Sequence, residues 1–151
     1  MRNIGKGLLA GFAATVVLSI LMVMKAMTGL MPELDLPKMI AAMVGSPDTP
    51  AIGWVIHFMI GVVVYGVAMA LLDEHLPGNG STAHGVILGF IGWLIMMVMM
   101  MPMAGAGMFG MKMGVMAPMM TLVLHLIFGA VLGWTYGKLM SNETPLLSRR
   151  A

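Results

Sequence analysis

The sequence contains no cysteine and few charged residues. The absence of cysteine excludes disulfide bonds and thiolate metal sites, and it carries no information about the redox compartment. Charged residues make up 9% of the chain, whereas about a quarter of the residues in soluble domains are charged. The net charge is +2, and the chain lacks the basic patch with interleaved aromatic residues that is typical of nucleic-acid-binding proteins. We therefore expect no nucleic-acid partner.

Recognisable enzyme motifs are also absent from the sequence. The chain contains no HExxH zinc motif, no phosphate-binding loop and no GxSxG nucleophile motif. Its carboxylates all fall in predicted connections or in the tail, at Glu33, Asp35, Asp48, Asp73, Glu74 and Glu143. No pair of them is placed for general acid and base chemistry. We expect that the protein is not an enzyme.

Long apolar runs make up most of the sequence. Hydrophobic residues account for 60% of the chain, and the mean hydropathy is +0.97. The runs cover residues 7–28, 51–72, 84–103 and 115–139, and each is close to the ~20 residues that cross a bilayer as a helix. Because they are continuously apolar rather than alternating, strands are disfavoured. The sequence predicts an all-α, four-transmembrane-helix bundle in the lipid bilayer, with one domain over residues 1–140 and a flexible basic tail over residues 141–151.

Basic residues flank the first and last runs. Two precede the first run and three follow the last one, namely Arg2, Lys6, Lys138, Arg149 and Arg150. Basic flanks of membrane helices face the cytoplasm. We therefore predict a multi-pass membrane protein with both termini in the cytoplasm.

The connection after the first run contains a second type of helix. The spacing around residues 37–44 predicts a short interfacial helix with Asp35 as its cap. Lys25, near the end of the first run, has a stem long enough to reach the interface, where Glu33 or Asp35 would be its partner.

Two short motifs occur once in each half of the chain. A Gly-x-x-x-Gly-Phe motif lies in the first run, from Gly7 to Phe12, and in the third, from Gly85 to Phe90. A His-x-x-x-Gly motif lies in the second run, from His57 to Gly61, and in the fourth, from His125 to Gly129. The order predicts two duplicated helical hairpins related by an axis along the membrane normal. Chance similarity between apolar segments is the alternative.

The two histidines are the best candidates for a binding site. An ionisable side chain inside a membrane helix is costly, so its presence is a functional-site hypothesis by default. His57 and His125 both lie on stripes of small residues, about 10 Å inside the outer helix ends at 1.5 Å of rise per residue. Two facing imidazoles would ligate a haem b, and Gly61 and Gly129 would leave room for the macrocycle. Hydrogen bonding of the histidines across helices, with no ligand, is the alternative.

Methionine is unusually abundant. The chain has 22 methionines, and twelve of them lie between Met96 and Met120. Thioethers are soft ligands that select Cu(I), so a cluster with the two histidines would hold copper. On the predicted seam the candidate metal ligands are Met22, Met96, Met100, His57 and His125. Methionine also fills apolar gaps and forms adaptable surfaces, which accounts for most of the others.

Several segments together resemble a known kind of protein. They are GLLAGFAAT in the first run, MPELD after it, the histidine inside the second run, MPMAGAGMFG after the third run and HLIFGAVLGWTYG in the fourth. This arrangement resembles a widespread family of uncharacterised small bacterial membrane proteins. The resemblance covers nearly the whole chain and implies a four-helix inner-membrane protein without an assigned activity or catalytic residues.

Three kinds of function fit these observations. The first is an accessory or binding subunit that holds a haem or a soft metal ion, or that associates with a larger membrane redox complex or with further copies of itself. The second is a structural scaffold without a ligand. The third is a small transporter or channel, which the scarcity of polar seam residues disfavours.

Overall fold

The computed structural model describes residues 3–142 and contains five α-helices in that range. We number them in chain order as α1 (Ile4–Met27), α2 (Leu36–Met43), α3 (Pro50–Leu72), α4 (Ser81–Met103) and α5 (Met116–Ser141). A short 3₁₀ segment, Met108–Met113, precedes α5. The described part of the chain contains no strand. The predicted basic tail, with Glu143, Arg149 and Arg150, lies outside the described residues except for its first two positions, and so does Arg2.

Four of the helices are long and apolar enough to cross a bilayer. They are α1, α3, α4 and α5, with 23 to 26 residues each and mean hydropathies between 1.9 and 2.4. The prediction of an all-α membrane protein with four transmembrane helices is therefore confirmed. The proposed duplication of a helical hairpin stays a prediction.

Local capping explains where two of the helices begin. The Asn3 side chain accepts a hydrogen bond from the backbone N–H of Lys6, so α1 starts a turn before the predicted apolar run. The Asp35 side chain accepts from the N–H of Lys38 and caps α2, and Pro37 occupies its first turn. The short helix expected near residues 37–44 is thus present as Leu36–Met43.

The four long helices are packed in the order α3, α1, α5, α4. Helix α1 contacts α3 on one side and α5 on the other, and α5 packs along α4. Few contacts join α3 to α4, and those lie near the connection between them. We call the end of the bundle with residues 73–80 the loop end. The opposite end, with α2 and residues 104–115, is the methionine end.

Glycines bring α1 and α3 into backbone contact. A Cβ on Gly11 would lie 2.7 Å from the carbonyl oxygen of Gly61, and a Cβ on Gly66 would lie 2.7 Å from that of Gly7. Real side chains do not approach backbone so closely, so only glycine permits this separation. Small residues at such contacts are typical of membrane helix pairs.

Helices α4 and α5 meet through the equivalent motifs with a different register. A Cβ on Gly85 would overlap the carbonyl oxygen of Gly129, and a Cβ on Gly89 would overlap that of His125. In the first pair, by contrast, Gly11 meets Gly61 rather than His57. The two pairs therefore differ by about one helical turn in how far one helix is slid along the other.

The buried side chains form two clusters. The larger one fills the loop half of the bundle with Ala10, Ala14, Leu18, Met69, Ala70, Leu88, Phe128, Leu132 and Tyr136. The smaller one, at the methionine end, consists of Leu34, Met96, Met97, Met101 and Ala106. Helix α2 is held over this end because Gly53 of α3 lets the Pro37 carbonyl approach in the place of a side chain.

Two of the long helices contain π-helical segments. They cover Ile60–Tyr65 in α3 and Met96–Met100 in α4. Each π turn inserts one extra residue into the helix, and such turns are frequent at functional sites. The continuous apolar runs predict uninterrupted helices at both places, so run length does not reveal the π segments.

Candidate functional site

A groove runs between α3 and α4, where the bundle is least closed. Its volume is about 500 Å³, and its walls are almost wholly apolar. We call it the α3–α4 groove. Both π segments line it, through Ile60, Gly61, Val64 and Tyr65 on one wall and Met96, Met99 and Met100 on the other. The two irregular turns thus border the same space.

His57 lies in the wall of this groove and is 7% exposed. Its Nε2 is 3.3 Å from the hydroxyl oxygen of Ser19 on α1. The Ser19 hydroxyl donates its proton to the carbonyl of Thr15 at 2.7 Å, so it is left to accept from His57. In a neutral ring this assignment places the proton on Nε2 and a free electron pair on Nδ1.

His125 also lines the groove, from α5. Its Nδ1 donates to the backbone carbonyl of Thr121, 2.8 Å away and one turn earlier in the same helix. In a neutral ring the electron pair is therefore on Nε2. A hydrogen bond from one ring nitrogen to a carbonyl orients metal-binding histidines in proteins in this way.

A second cavity, of about 440 Å³, adjoins the groove at the methionine end. We call it the lid cavity, because Leu36, Pro37 and Lys38 of α2 border it. Met96 and His125 line both the groove and the lid cavity, so the two spaces meet at these side chains.

Most of the predicted site residues border these two spaces. His57, His125, Met96 and Met100 line the groove, and Met22 lines the lid cavity beside His125 and Met96. The structure thus brings the two imidazoles and the three candidate thioethers to one region of the bundle.

The two predicted glycines take part in helix packing. A Cβ on Gly61 would collide with the Thr15 hydroxyl of α1, although Gly61 also borders the groove. Gly129 lies against Gly85 and is not among the residues that line the groove. Neither glycine leaves an empty volume in place of its missing side chain.

Hydrogen bonds fix the α4 and α5 walls near His125. The Trp93 ring nitrogen donates to the Pro118 carbonyl at 3.1 Å and lies 3.2 Å from the Thr121 hydroxyl oxygen. The Thr121 hydroxyl donates to the Ala117 carbonyl at 2.7 Å. The turn of α5 whose carbonyl holds His125 is therefore itself anchored to α4.

Hard-metal ligands are not gathered anywhere in the described part of the chain. Residues 3–142 contain no group of three or more histidine, aspartate or glutamate side chains placed to hold a metal ion. Any ion at the histidine pair would therefore have imidazole and thioether ligands, which is a donor set for soft metals.

Comparisons with known proteins give a family but no activity. The model of one family, described as a family of unknown function (DUF6789), matches residues 1–146. The chain belongs to the DUF6789 family. The resemblance to an uncharacterised family is thereby confirmed. No curated protein and no solved structure matches the chain.

This DUF6789 chain also has a polar cluster that the sequence analysis missed. At the loop end, Asp73 accepts a hydrogen bond from the Ser81 hydroxyl at 3.0 Å and lies 2.8 Å from Nδ1 of His84. Nε2 of His84 faces the Gly78 carbonyl at 3.3 Å. Both ring nitrogens face acceptors, so the two bonds form together only in the doubly protonated imidazolium.

Asp73 lies at the centre of this cluster, between Ser81 and His84. The Ser81 hydroxyl donates to Asp73 and not to His84. The cluster ties the end of α3 to the start of α4, which begins at Ser81 and not at the predicted residue 84. The spacing of Asp73, Ser81 and His84 across a glycine-containing turn was the available signal.

Lys25 lies near Glu33 and Asp35, the carboxylates that the sequence suggested, and interacts electrostatically with both. Its ammonium group donates hydrogen bonds to the backbone carbonyls of Met31 (3.0 Å) and Leu34, whereas the direct ion pair of Asp35 is with Lys38, at 3.1 Å. Lys25 thus holds the turn between α1 and α2. It also lines the lid cavity, as does Lys38.

Proposed function

We propose that this protein is a small, non-enzymatic membrane subunit that binds a soft metal ion, Cu(I), between His57 and His125. The observation that carries the proposal is the common position of the candidate ligands. Two imidazoles and three thioethers border two spaces that meet at Met96 and His125. Thioether and imidazole ligands favour Cu(I) over Mg²⁺, Ca²⁺ and Mn²⁺, and the one carboxylate that borders the lid cavity, Asp35, is paired with Lys38.

The hydrogen bonds of the two rings support this proposal. Each imidazole uses one ring nitrogen in a hydrogen bond, His57 to Ser19 and His125 to the Thr121 carbonyl. The other nitrogen of each neutral ring carries an electron pair that can bind a metal ion. An electron pair without a partner inside the hydrocarbon is costly, and a bound cation removes that cost. The methionines would complete the coordination sphere.

Haem b is the second candidate, and a specific observation favours it. Lys25 and Lys38 line the lid cavity together with His125. These ammonium groups would pair with the propionates of a haem whose iron is held by the histidines, with Lys38 exchanging its partner Asp35 for a propionate. The sequence analysis had found no arginine for this role.

The cellular setting that we propose follows from the flanking charges. Lys6 and Lys138 lie at the loop end of the bundle, which would be cytoplasmic in a bacterial inner membrane. A larger redox complex, or further copies of the chain, would bind at the methionine end. Its exposed methionines include Met24, Met27, Met99, Met103, Met108, Met111, Met116 and Met119. We therefore expect a reporter enzyme that works only in the cytoplasm to be active when it is fused after residue 151.

The metal proposal is tested on the purified full-length chain by an absorption spectrum and elemental analysis of one preparation. We expect bound copper, lost in His57→Leu and in His125→Leu and kept in His75→Leu, since His75 is exposed in the loop. If the spectrum instead shows a Soret band that is lost in the same two variants, the bound group is haem and not copper. A preparation with neither signal, unchanged by the double replacement, would overturn both candidates and favour the scaffold.

A further inference from the structure

A metal ion accounts for little of the α3–α4 groove. The groove holds about 500 Å³, whereas a single water in the liquid takes about 30 Å³. Its lining continues along α3 from His57 to Leu72, a length of about 22 Å at 1.5 Å of rise per residue. An apolar space of this length remains beside the histidine pair.

The groove is open sideways to the bilayer. Its rim residues Val64, Ile95 and Met99 are 60%, 55% and 59% exposed, and they lie within the membrane-spanning helices. Helices α3 and α4 have few contacts with each other. A ligand dissolved in the hydrocarbon therefore reaches the groove without crossing the protein.

One polar group in the groove has no partner of its own. The Tyr65 ring packs edge-on against Phe128, with 4.9 Å between ring centroids, and its hydroxyl lies against Gly92 of α4. That hydroxyl makes no hydrogen bond to any part of residues 3–142. It lies about 10 Å inside the loop end of α3, at 1.5 Å per residue, where no interfacial water satisfies it.

We propose that the α3–α4 groove binds an isoprenoid quinone. The neutral carbonyl of the head group would accept a hydrogen bond from the Tyr65 hydroxyl, and the apolar tail would lie along the groove walls. The tail would contact Val64 and Ala68 of α3 and Leu88 and Ile91 of α4. This proposal goes beyond the metal site and does not depend on it.

The position of Tyr65 favours a quinone over the other molecules of a bilayer. A phospholipid keeps its charged head at the interface and would leave the hydroxyl unpartnered. A fatty acid would bring a carboxylate, but none of the residues lining the groove is Lys or Arg. A quinone head is uncharged, so it enters the hydrocarbon, and π turns on both walls mark this groove as a specialised region.

The test uses the full-length chain reconstituted into phosphatidylcholine vesicles that contain ubiquinone-10, then repurified in detergent and extracted. Chromatography measures the quinone retained for each chain. Val64→Phe places a ring in the groove, whereas Val63→Phe makes the same change at a neighbouring position that does not line it. We expect stoichiometric retention by the wild type and by Val63→Phe. We expect a loss of about tenfold or more for Val64→Phe, since overpacking excludes the ligand.

Tyr65→Phe provides a second variant that keeps the shape of the groove. Loss of one hydrogen bond should lower quinone retention about fivefold. Copper content should be the same in all three variants, which separates this test from that of the metal site. Three results would overturn the proposal. They are equal retention by Val64→Phe and Val63→Phe, wild-type retention by Tyr65→Phe, and an extract that contains phospholipid alone.

Discussion

The helix pairs α1–α3 and α4–α5 carry the same short motifs but hold their histidines differently. His57 of α3 is hydrogen-bonded to a side chain on another helix, Ser19 of α1. His125 of α5 is hydrogen-bonded to the backbone of its own helix, at Thr121. The orientation of His125 is therefore built into α5, whereas that of His57 depends on how α1 and α3 are aligned.

The difference shows what a repeated motif specifies. His-x-x-x-Gly places an imidazole and a close helix contact one turn apart on the same face. It does not specify which carbonyl the glycine meets or which group the imidazole binds. The backbone group that the glycine meets depends on how far the partner helix is slid, which differs by about one turn between Gly11 and Gly89.

The largest expected effect tests whether the two pairs depend equally on glycine contacts. Gly85→Leu and Gly7→Leu each introduce a side chain where a neighbouring backbone already lies. We expect each to lower the free energy of unfolding by about 3 kcal/mol, the upper part of the range for overpacking. Thermal unfolding in detergent, followed by circular dichroism, measures it.

Gly5→Leu is the matched control for both variants. A Cβ on Gly5 would meet only the Asn3 side chain, at the ordinary distance of 3.6 Å. It should leave the melting temperature unchanged or slightly raised, because glycine is a poor helix former. A Gly85→Leu chain as stable as Gly5→Leu would show that the second pair does not need its close contact.

An intermediate effect tests the connection between the two pairs. Asp73→Ala removes the acceptor of both Ser81 and His84, and it should lower the free energy of unfolding by about 2 kcal/mol. Glu74→Ala, at an exposed neighbouring position, is the control. If the two variants melt at the same temperature, the polar cluster does not join α3 to α4.

The smallest effect sharpens the contrast between the histidines. Ser19→Ala removes the partner of His57 and leaves that of His125 in place. It should lower the free energy of unfolding by about 1 kcal/mol. In nitrogen NMR spectra of the imidazoles, the His57 signals should shift and those of His125 should stay. Ser141→Ala, an exposed serine on α5, should move neither. A shift of both histidines would mean that they respond as one unit.

Run length, caps and turn residues predicted the elements of this fold. The four long helices, the short α2 and the Asp35 cap could be read from the sequence, because helix length and capping are local properties. The region shared by His57 and His125 was also anticipated from their equivalent positions. These features need no knowledge of how the helices are placed around one another.

Helix order and the π turns could not be predicted from the sequence for a physical reason. In a membrane helix every face is apolar, so periodicity does not reveal which face meets a neighbour. The contact of Tyr65 with Gly92 and the open side between α3 and α4 depend on that missing information. The carboxylates near Lys25 could be anticipated from the sequence, but the backbone carbonyls that accept its hydrogen bonds could not, because they depend on the fold of the turn.

The π segment Ile60–Tyr65 also bears on how this chain tolerates changes in length. One residue more than an α-helical turn is stored there, so deleting a single residue within it would restore regular α-helix. The residues beyond it would keep their faces, because the π turn already takes up the extra residue. A deletion in the regular α-helical part before it, Pro50–Met59, would instead rotate the rest of α3 by about 100°, since an α-helix has 3.6 residues per turn. Gly66 would then leave the backbone of Gly7, and Ala68 would leave the groove. Sequences related to this one should therefore tolerate the loss of one residue within Ile60–Tyr65 better than the loss of one within Pro50–Met59.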